Sequence, residues 1–226
     1  METSMIRLAV DAIVFGYDPV DGISVLLIKR KYDPFQGSWA LPGGLVTVNE
    51  SLEHAVEREL EEETGVKVDY LEQLYTYGEV QRDPRNRVVS VAYYGLVKKS
   101  DFQLYAATDA EDAQWFSWNN LPKLAFDHAN ILADGMKRIR GKIRYEPIGF
   151  ELLDEKFPFS ELHKLYEFVL GESLDRRNFK KKFLQLNVLD ELKEKVSQGK
   201  GRPGSLFTFN RHRYFSSKAK GINFEV

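Results

Sequence analysis

Between Gly44 and Val66 the chain meets one rigid spacing: Gly44, five residues, Glu50, seven residues, then Arg58-Glu59-Leu60-Glu61-Glu62-Glu63-Thr64-Gly65-Val66. Seven charged or glycine positions and two aliphatic ones fall into place without a gap. At roughly 7% usage per position, seven matches arise by chance in on the order of 10^-8 windows, so the spacing is a real constraint. The stretch also reads as a helix. Leu52, Ala55, Val56, Leu60 and Glu63 recur at helical intervals. Ser51 suits the N-cap, and Gly65 can end the helix in a left-handed turn. Glu59, Glu62 and Glu63 then stand at i, i+3 and i+4 on one face. Three like charges repel and call for a counter-charge. Hard carboxylate oxygens suit Mg2+ or Mn2+, which keep waters and accept phosphate oxygens as further ligands. Arg58 is placed to hold a neighbouring carboxylate. The alternative is an acidic, solvated helix without a ligand, which leaves Gly44 and the Glu50–Arg58 spacing unexplained.

The stretch resembles the box of the Nudix family, G-x5-E-x7-R-E-U-x-E-E-x-G-U with U aliphatic, and the resemblance extends over residues 5–143. It implies an α+β fold, the Nudix α/β/α sandwich. It also implies metal-dependent hydrolysis of nucleoside diphosphates joined to another group. Carried over onto this chain, Glu59, Glu62 and Glu63 would hold Mg2+ or Mn2+, and Glu59, Arg58 and Glu62 would be catalytic. Gly44, Glu50 and Gly65 would be the structural positions of the box. The family varies in its general base, so Glu59 and another loop carboxylate both stand open for that role. A backbone carbonyl near Gly43 or Gly44 is a further candidate ligand.

A second segment, Gln81-Arg82-Asp83-Pro84-Arg85-Asn86-Arg87, resembles the R-D-P-R-G-R loop of ADP-ribose pyrophosphatases and related regulators, with Asn86 where glycine is common. Arg82, Arg85 and Arg87 in one turn can grip phosphates bidentately; the other reading is a charged hairpin tip. Leu124-Ala125-Phe126-Asp127-His128 also resembles a segment of these proteins. A lone histidine such as His128 more commonly caps or packs than catalyses.

Ile6–Phe15 and Ile23–Lys29 read as a strand hairpin about the turn Asp18-Pro19-Val20-Asp21-Gly22. Strands are expected at residues 71–79 and 87–97, with a short one at Trp115-Phe116. Leu132, Met136, Ile139 and Ile143 mark a helix over residues 130–143. Pro147 disfavours helix before it and puts a boundary near residues 144–147, giving domains 1–145 and 146–226.

Charge divides the chain in the same place. Residues 1–145 hold 17 Lys+Arg against 22 Asp+Glu, net −5, and residues 146–226 hold 15 against 12, net +3. A basic C-terminal part on an acidic chain points to an anionic partner or to a solvated tail. After a short strand expected at residues 149–153, a helix starts at Ser160 with Leu162, Leu165, Tyr166 and Val169 on one stripe, and ends at Gly171. A second helix from Asp175 puts Phe179, Phe183 and Leu186 on one face, with Arg177, Lys180 and Lys181 largely opposite. Residues 188–196 are ambiguous between strand and helix, the loop Gly199-Lys200-Gly201-Arg202-Pro203-Gly204 follows, and residues 205–210 alternate as a strand.

This order resembles the winged helix-turn-helix of Nudix-related transcriptional regulators, the family controlling NAD and sugar catabolism genes. The resemblance implies double-stranded DNA as partner, with Arg176, Arg177, Lys180 and Lys181 towards the groove and Lys200 and Arg202 on phosphates. It also implies a homodimer. A helical accessory unit for dimerisation is the competing reading. Two functions stay open: an active hydrolase joined to a DNA-binding domain and responding to its ligand, and a non-catalytic Nudix sensor.

The absence of cysteine excludes a disulfide framework and a zinc-thiolate site and fits a reducing compartment. The sequence shows no signal-peptide pattern at its start and no apolar run of membrane-spanning length, so a cytoplasmic location is expected.

Overall fold

The hairpin forms as the turn residues require. β1 (Arg7–Asp18) and β2 (Gly22–Arg30) are antiparallel. Asp18 Oδ1 accepts from Val20 N at 2.7 Å and Asp21 N at 3.0 Å to close the turn. The computed structural model of the chain describes residues 5–68, 71–102, 104, 110–196 and 204–220. The remaining elements of the first part are β3 (Trp39–Ala40), β4 (Gly43–Leu45), α1 (Leu52–Thr64), β5 (Glu72–Tyr77), β6 (Val88–Lys98), β7 (Ala110–Ser117) and α2 (His128–Tyr145). The sheet runs β3-β2-β1-β6-β5, with β4 also on β1 and β7 on β2. β7 is much longer than the strand expected at Trp115-Phe116, because all of it pairs with β2.

β1 and β6 lie parallel from Arg7↔Val88 to Tyr17↔Lys98. β1 is buried on both faces, which accounts for its nearly unbroken apolar run. Val10, Ala12 and Val14 pack with Ala55, Val56 and Leu60 of α1. On the alternate residues, Gly135 of α2 comes so close that a Cβ there would lie 2.4 Å from Ile13 Cδ1. The sheet therefore carries a helix on each face, the α/β/α sandwich.

Two compact units divide the chain, residues 1–137 and 138–226, and the division falls inside α2. In the second unit Gly149 has a φ of 91°, and Leu152 N donates to its carbonyl at 3.0 Å. Residues 150–152 therefore form a single 3-10 turn instead of the strand expected at 149–153. β8 (Phe157–Pro158), α3 (Phe159–Leu170), α4 (Arg176–Gln185), β9 (Leu189–Val196), β10 (Gly204–Phe209) and α5 (Arg211–Lys220) follow. The ambiguous stretch 188–196 is a strand because its backbone pairs with β10; the sheet order is β8-β10-β9. Phe157, Leu162, Leu165, Tyr166, Phe183 and Phe207 fill the core between helices and sheet. The turn between α3 and α4 is held by Glu167 Oε1, which accepts from Leu174 N at 3.0 Å.

Candidate active site and nucleic-acid interface

The helix carrying the acidic face is anchored at both ends. Ser51 Oγ accepts from His54 N at 3.2 Å, and Gly65, at φ 73°, donates its N–H to Glu61 O at 2.9 Å. Arg58 is the hub of its charges. Its Nε and Nη2 meet the two oxygens of Glu50 at 2.9 and 2.8 Å, and its Nη1 reaches Glu59 Oε1 at 2.9 Å and Glu62 Oε2 at 3.2 Å. Glu50 also accepts from Thr47 N at 2.7 Å. Arg58, and then the Thr47 amide, hold the Glu50 carboxyl down at about 2. The Glu50–Arg58 spacing is thus a staple from the preceding loop to the second turn of α1.

Burial pushes the Glu59 carboxyl above its ordinary value, against the pull of Arg58. Glu59 lies over Gly44, where a Cβ would stand 2.3 Å from Glu59 Oε1, so any side chain at 44 would displace the carboxylate. Glu63 is buried and its Oε2 accepts from Gly43 N at 2.8 Å. The i, i+3, i+4 face is thereby split: Glu59 and Glu62 share Arg58, and Glu63 turns to the glycine loop. Among the described residues no three carboxylate or imidazole groups come together as they would to hold a metal ion. Mg2+ does not need such a cluster, since it binds through one or two carboxylates together with waters and substrate phosphates. Hard oxygens at Glu59 and its neighbours, one of them desolvated, fit that requirement.

A cavity of about 410 Å³ opens beside this helix. Gly43, Gly44, Arg58, Glu59 and Glu63 form one part of its lining; Arg7, Arg30, Lys31, Asp83, Arg85 and Asn86 contribute to the rest. The three arginines of the 82–87 loop have different fates. Arg85 lines the cavity, half-exposed, with its Nε and Nη2 on the two oxygens of Asp83 at 3.0 and 2.7 Å. Burial opposes ionisation of Asp83, but Arg85 outweighs it and the carboxyl is lowered. Arg82 is buried and its guanidinium faces inward, to Asp127 at 2.9 and 2.7 Å and Asp11 at 3.3 Å. Two carboxylates inside the fold hold it, and it lines a smaller pocket of about 90 Å³ that shares Gly43, Gly44 and Arg85 with the cavity. Arg87 turns to backbone, donating to Val88 O at 3.2 Å and Glu79 O at 3.4 Å.

Arg7, Arg30 and Lys31 of the lining belong to no motif, and Phe126 falls in the segment 124–128. Arg30 sits 4.8 Å and Arg85 5.9 Å from the centre of the Phe126 ring. Isolated cations at strand ends give no sequence signal; only the resemblance around residues 124–128 hinted at this wall.

In the second unit, Asp175 caps α4 by accepting from Asn178 N at 2.8 Å. Phe179 and Phe183 are buried, while Arg176, Arg177, Lys180 and Lys181 are exposed. The Lys180 ammonium lies 5.6 Å from the ring centres of both Phe159 and Phe207, so its stem follows the edge of the aromatic core. Lys200 and Arg202 lie outside the described residues.

Comparison with known proteins matches the NUDIX domain to residues 5–135. The chain belongs to the Nudix family. The NrtR DNA-binding winged helix domain matches residues 149–209, so this Nudix chain carries the winged helix of that group. The ADPR responsive transcriptional repressor NtrR of Acinetobacter baylyi is 32% identical over 211 residues, covering 92% of this chain and 83% of that protein. Over the Nudix part, the ADP-ribose pyrophosphatase of Methanocaldococcus jannaschii is 46% identical over 123 residues, 52% of this chain and 72% of that protein. The crystal structure of Shewanella oneidensis NrtR complexed with a 27mer DNA superposes with a TM-score of 0.78 at 30% identity, covering 96% of this Nudix chain and 98% of that one. Among the described residues no helix is long and apolar enough to cross a membrane.

Proposed function

We propose that the protein is a transcriptional regulator that responds to ADP-ribose or a closely similar nucleoside diphosphate. Its Nudix unit hydrolyses the pyrophosphate of that ligand with Mg2+ or Mn2+, and its winged helix binds double-stranded DNA as part of a homodimer. The observation that carries this reading is the cavity whose lining puts the box carboxylates Glu59 and Glu63 together with Arg7, Arg30, Lys31 and Arg85. A pyrophosphate ligand with a divalent ion presents the matching pair of charges. The relatives over nearly the whole chain support DNA binding and repression as the output.

A pyrophosphate resists attack because its own charge repels nucleophiles, so a hydrolase has to neutralise that charge and orient a water. Glu59, Glu62 and Glu63 would hold a divalent ion, which would supply neutralisation and lower the pKa of a water it bound. The protein supplies the rest. Arg58 sets the positions of Glu59 and Glu62, and Asp83 orients Arg85 at the cavity. Glu59 over Gly44, or another loop carboxylate, would take the proton of the attacking water.

The sensor reading is favoured by one observation: all three carboxylates are already engaged, Glu59 and Glu62 by Arg58 and Glu63 by Gly43 N. One experiment separates the readings. The full chain on DNA from upstream of its own operon is incubated with Mg2+ and ADP-ribose, and AMP and DNA release are followed. AMP with release is the expected result. Release without AMP makes the protein a sensor, and neither release nor binding of ADP-ribose overturns both.

A further inference from the structure

The glycine loop under the box carboxylates is held from below by residues outside the box. Gly43 N donates to Glu63, and Gly44 lies beneath Glu59. Just upstream, Trp39 O accepts from Ala125 N at 2.8 Å, Pro42 O accepts from Ala12 N at 2.8 Å, and Leu41 N donates to His128 Nδ1 at 2.9 Å. Of these three upstream partners only His128 contributes a side chain. A neutral imidazole has one ring lone pair to offer. Spending it on Leu41 N makes Nε2 the protonated nitrogen, and that atom faces Asp11 Oδ1 at 3.4 Å. Asp11, buried on β1, also accepts from Ser90 Oγ at 2.6 Å and Arg82 Nη2 at 3.3 Å. Arg82 closes the circuit on Asp127, the residue before His128. The charged groups around the ring are therefore Asp11, Asp127, Arg82 and Arg30. Burial holds the imidazole below its ordinary pKa against the pull of the two carboxylates. Protonation would convert the Nδ1 acceptor into a donor facing another donor, Leu41 N–H.

We propose that His128 is a positioning residue of the Nudix site: its neutral imidazole, bridging Asp11 and Leu41 N, sets the backbone of residues 41–44 and through it the Glu59 and Glu63 carboxylates. It is absent from the lining of the 410 Å³ cavity and reaches only a smaller neighbouring pocket, beside Arg82 and Phe126. Its effect on the carboxylates runs through the backbone it holds at Leu41, so the residue type alone does not reveal the role.

Full-length wild type is compared with His128→Asn, which keeps an acceptor close to the Nδ1 position, and His128→Leu, which keeps the volume without one. In hydrogen–deuterium exchange, the peptide covering residues 39–46 should exchange about tenfold faster in His128→Leu, the equivalent of one lost hydrogen bond, and within about twofold of wild type in His128→Asn. The β6 peptide should be unchanged in both. Affinity for ADP-ribose in Mg2+, by calorimetry, should fall about tenfold in His128→Leu and be largely restored in His128→Asn. Unchanged exchange in His128→Leu, or equal acceleration in both variants, overturns the proposal. Should His128→Leu fail to fold, nitrogen NMR of the wild type decides: the neutral Nε2–H form supports it, and the other tautomer or an imidazolium at neutral pH overturns it. The ligand readout rests on the proposed function and the exchange readout does not. Failure of the wild type to bind ADP-ribose therefore removes the ligand reading and leaves the role of His128 to be decided by exchange.

Discussion

α1 and α4 are both short, heavily charged helices with polar N-caps, yet they handle charge in opposite ways. In α1 one arginine binds three glutamates, and a fourth glutamate is buried against a backbone amide. In α4 only Phe179 and Phe183 turn inward, and Arg176, Arg177, Lys180 and Lys181 stand exposed. On the proposed function, the difference matches the demands of each partner. Groups that meet a reacting bond have to be held within a fraction of an ångström, which requires internal partners. Phosphate contacts along DNA draw on charge and counterion release, and long mobile side chains can order on contact.

The strongest way to break the comparison is to remove an anchor of α4. Phe183→Ala empties a fully buried ring site in the aromatic core of the second unit and should cost about 3–5 kcal/mol. A calorimetric scan should show loss of the transition belonging to residues 138–226, with DNA binding gone and ADP-ribose binding kept. Simultaneous loss of both activities would show that the two units melt as one.

Next in size is Glu59→Gln, expected to lower ADP-ribose turnover by about 10²–10³-fold. Its stability effect runs the other way. Because burial raises the folded-state pKa of Glu59, its contribution is present below the ordinary carboxylate pKa and lost as pH rises through the raised value. Glutamine stays neutral throughout, so the melting temperature at pH 7 should be no lower than that of wild type. A markedly less stable variant would mean that Glu59 is chiefly a partner of Arg58.

Lys181→Ala tests the opposite helix. It should weaken DNA binding across sequences and reduce the slope of log affinity against log salt by about one, measured by anisotropy. No change in slope would take Lys181 off the phosphate backbone.

The smallest effect is expected from Glu50→Gln. Glu50 has a depressed folded-state pKa, so its contribution is present above the ordinary value of 4.5 and lost as pH falls towards about 2. The variant should show a flatter acid stability profile in that window. Identical profiles would show that the Arg58 staple is as strong with a neutral partner.

Local features of the site were legible in the residues. The limits of α1, its Ser51 cap, the Gly65 terminator and the apolar stripe Ala55-Val56-Leu60 all rest on neighbours within a turn of helix. So do the caps and aromatic face of α4. What the residues left open or too short depended on partners far along the chain. Residues 188–196 became a strand only through β10, β7 extended only through β2, and α5 after residue 210 carried no distinct signal.

The sequence alone determined the presence of an acidic helix with Glu59, Glu62 and Glu63 at fixed spacing and of a basic helix with two inward phenylalanines, because helical geometry dictates which residues share a face. Tertiary structure decided how that chemistry is presented. It buried Arg82 between Asp127 and Asp11, left Arg85 at the cavity, turned Glu63 to Gly43 N and brought His128 beneath Leu41. A carboxylate or guanidinium has many suitable partners in a chain with 34 acidic and 32 basic residues, and only the packed sheet brings one of them within bonding distance.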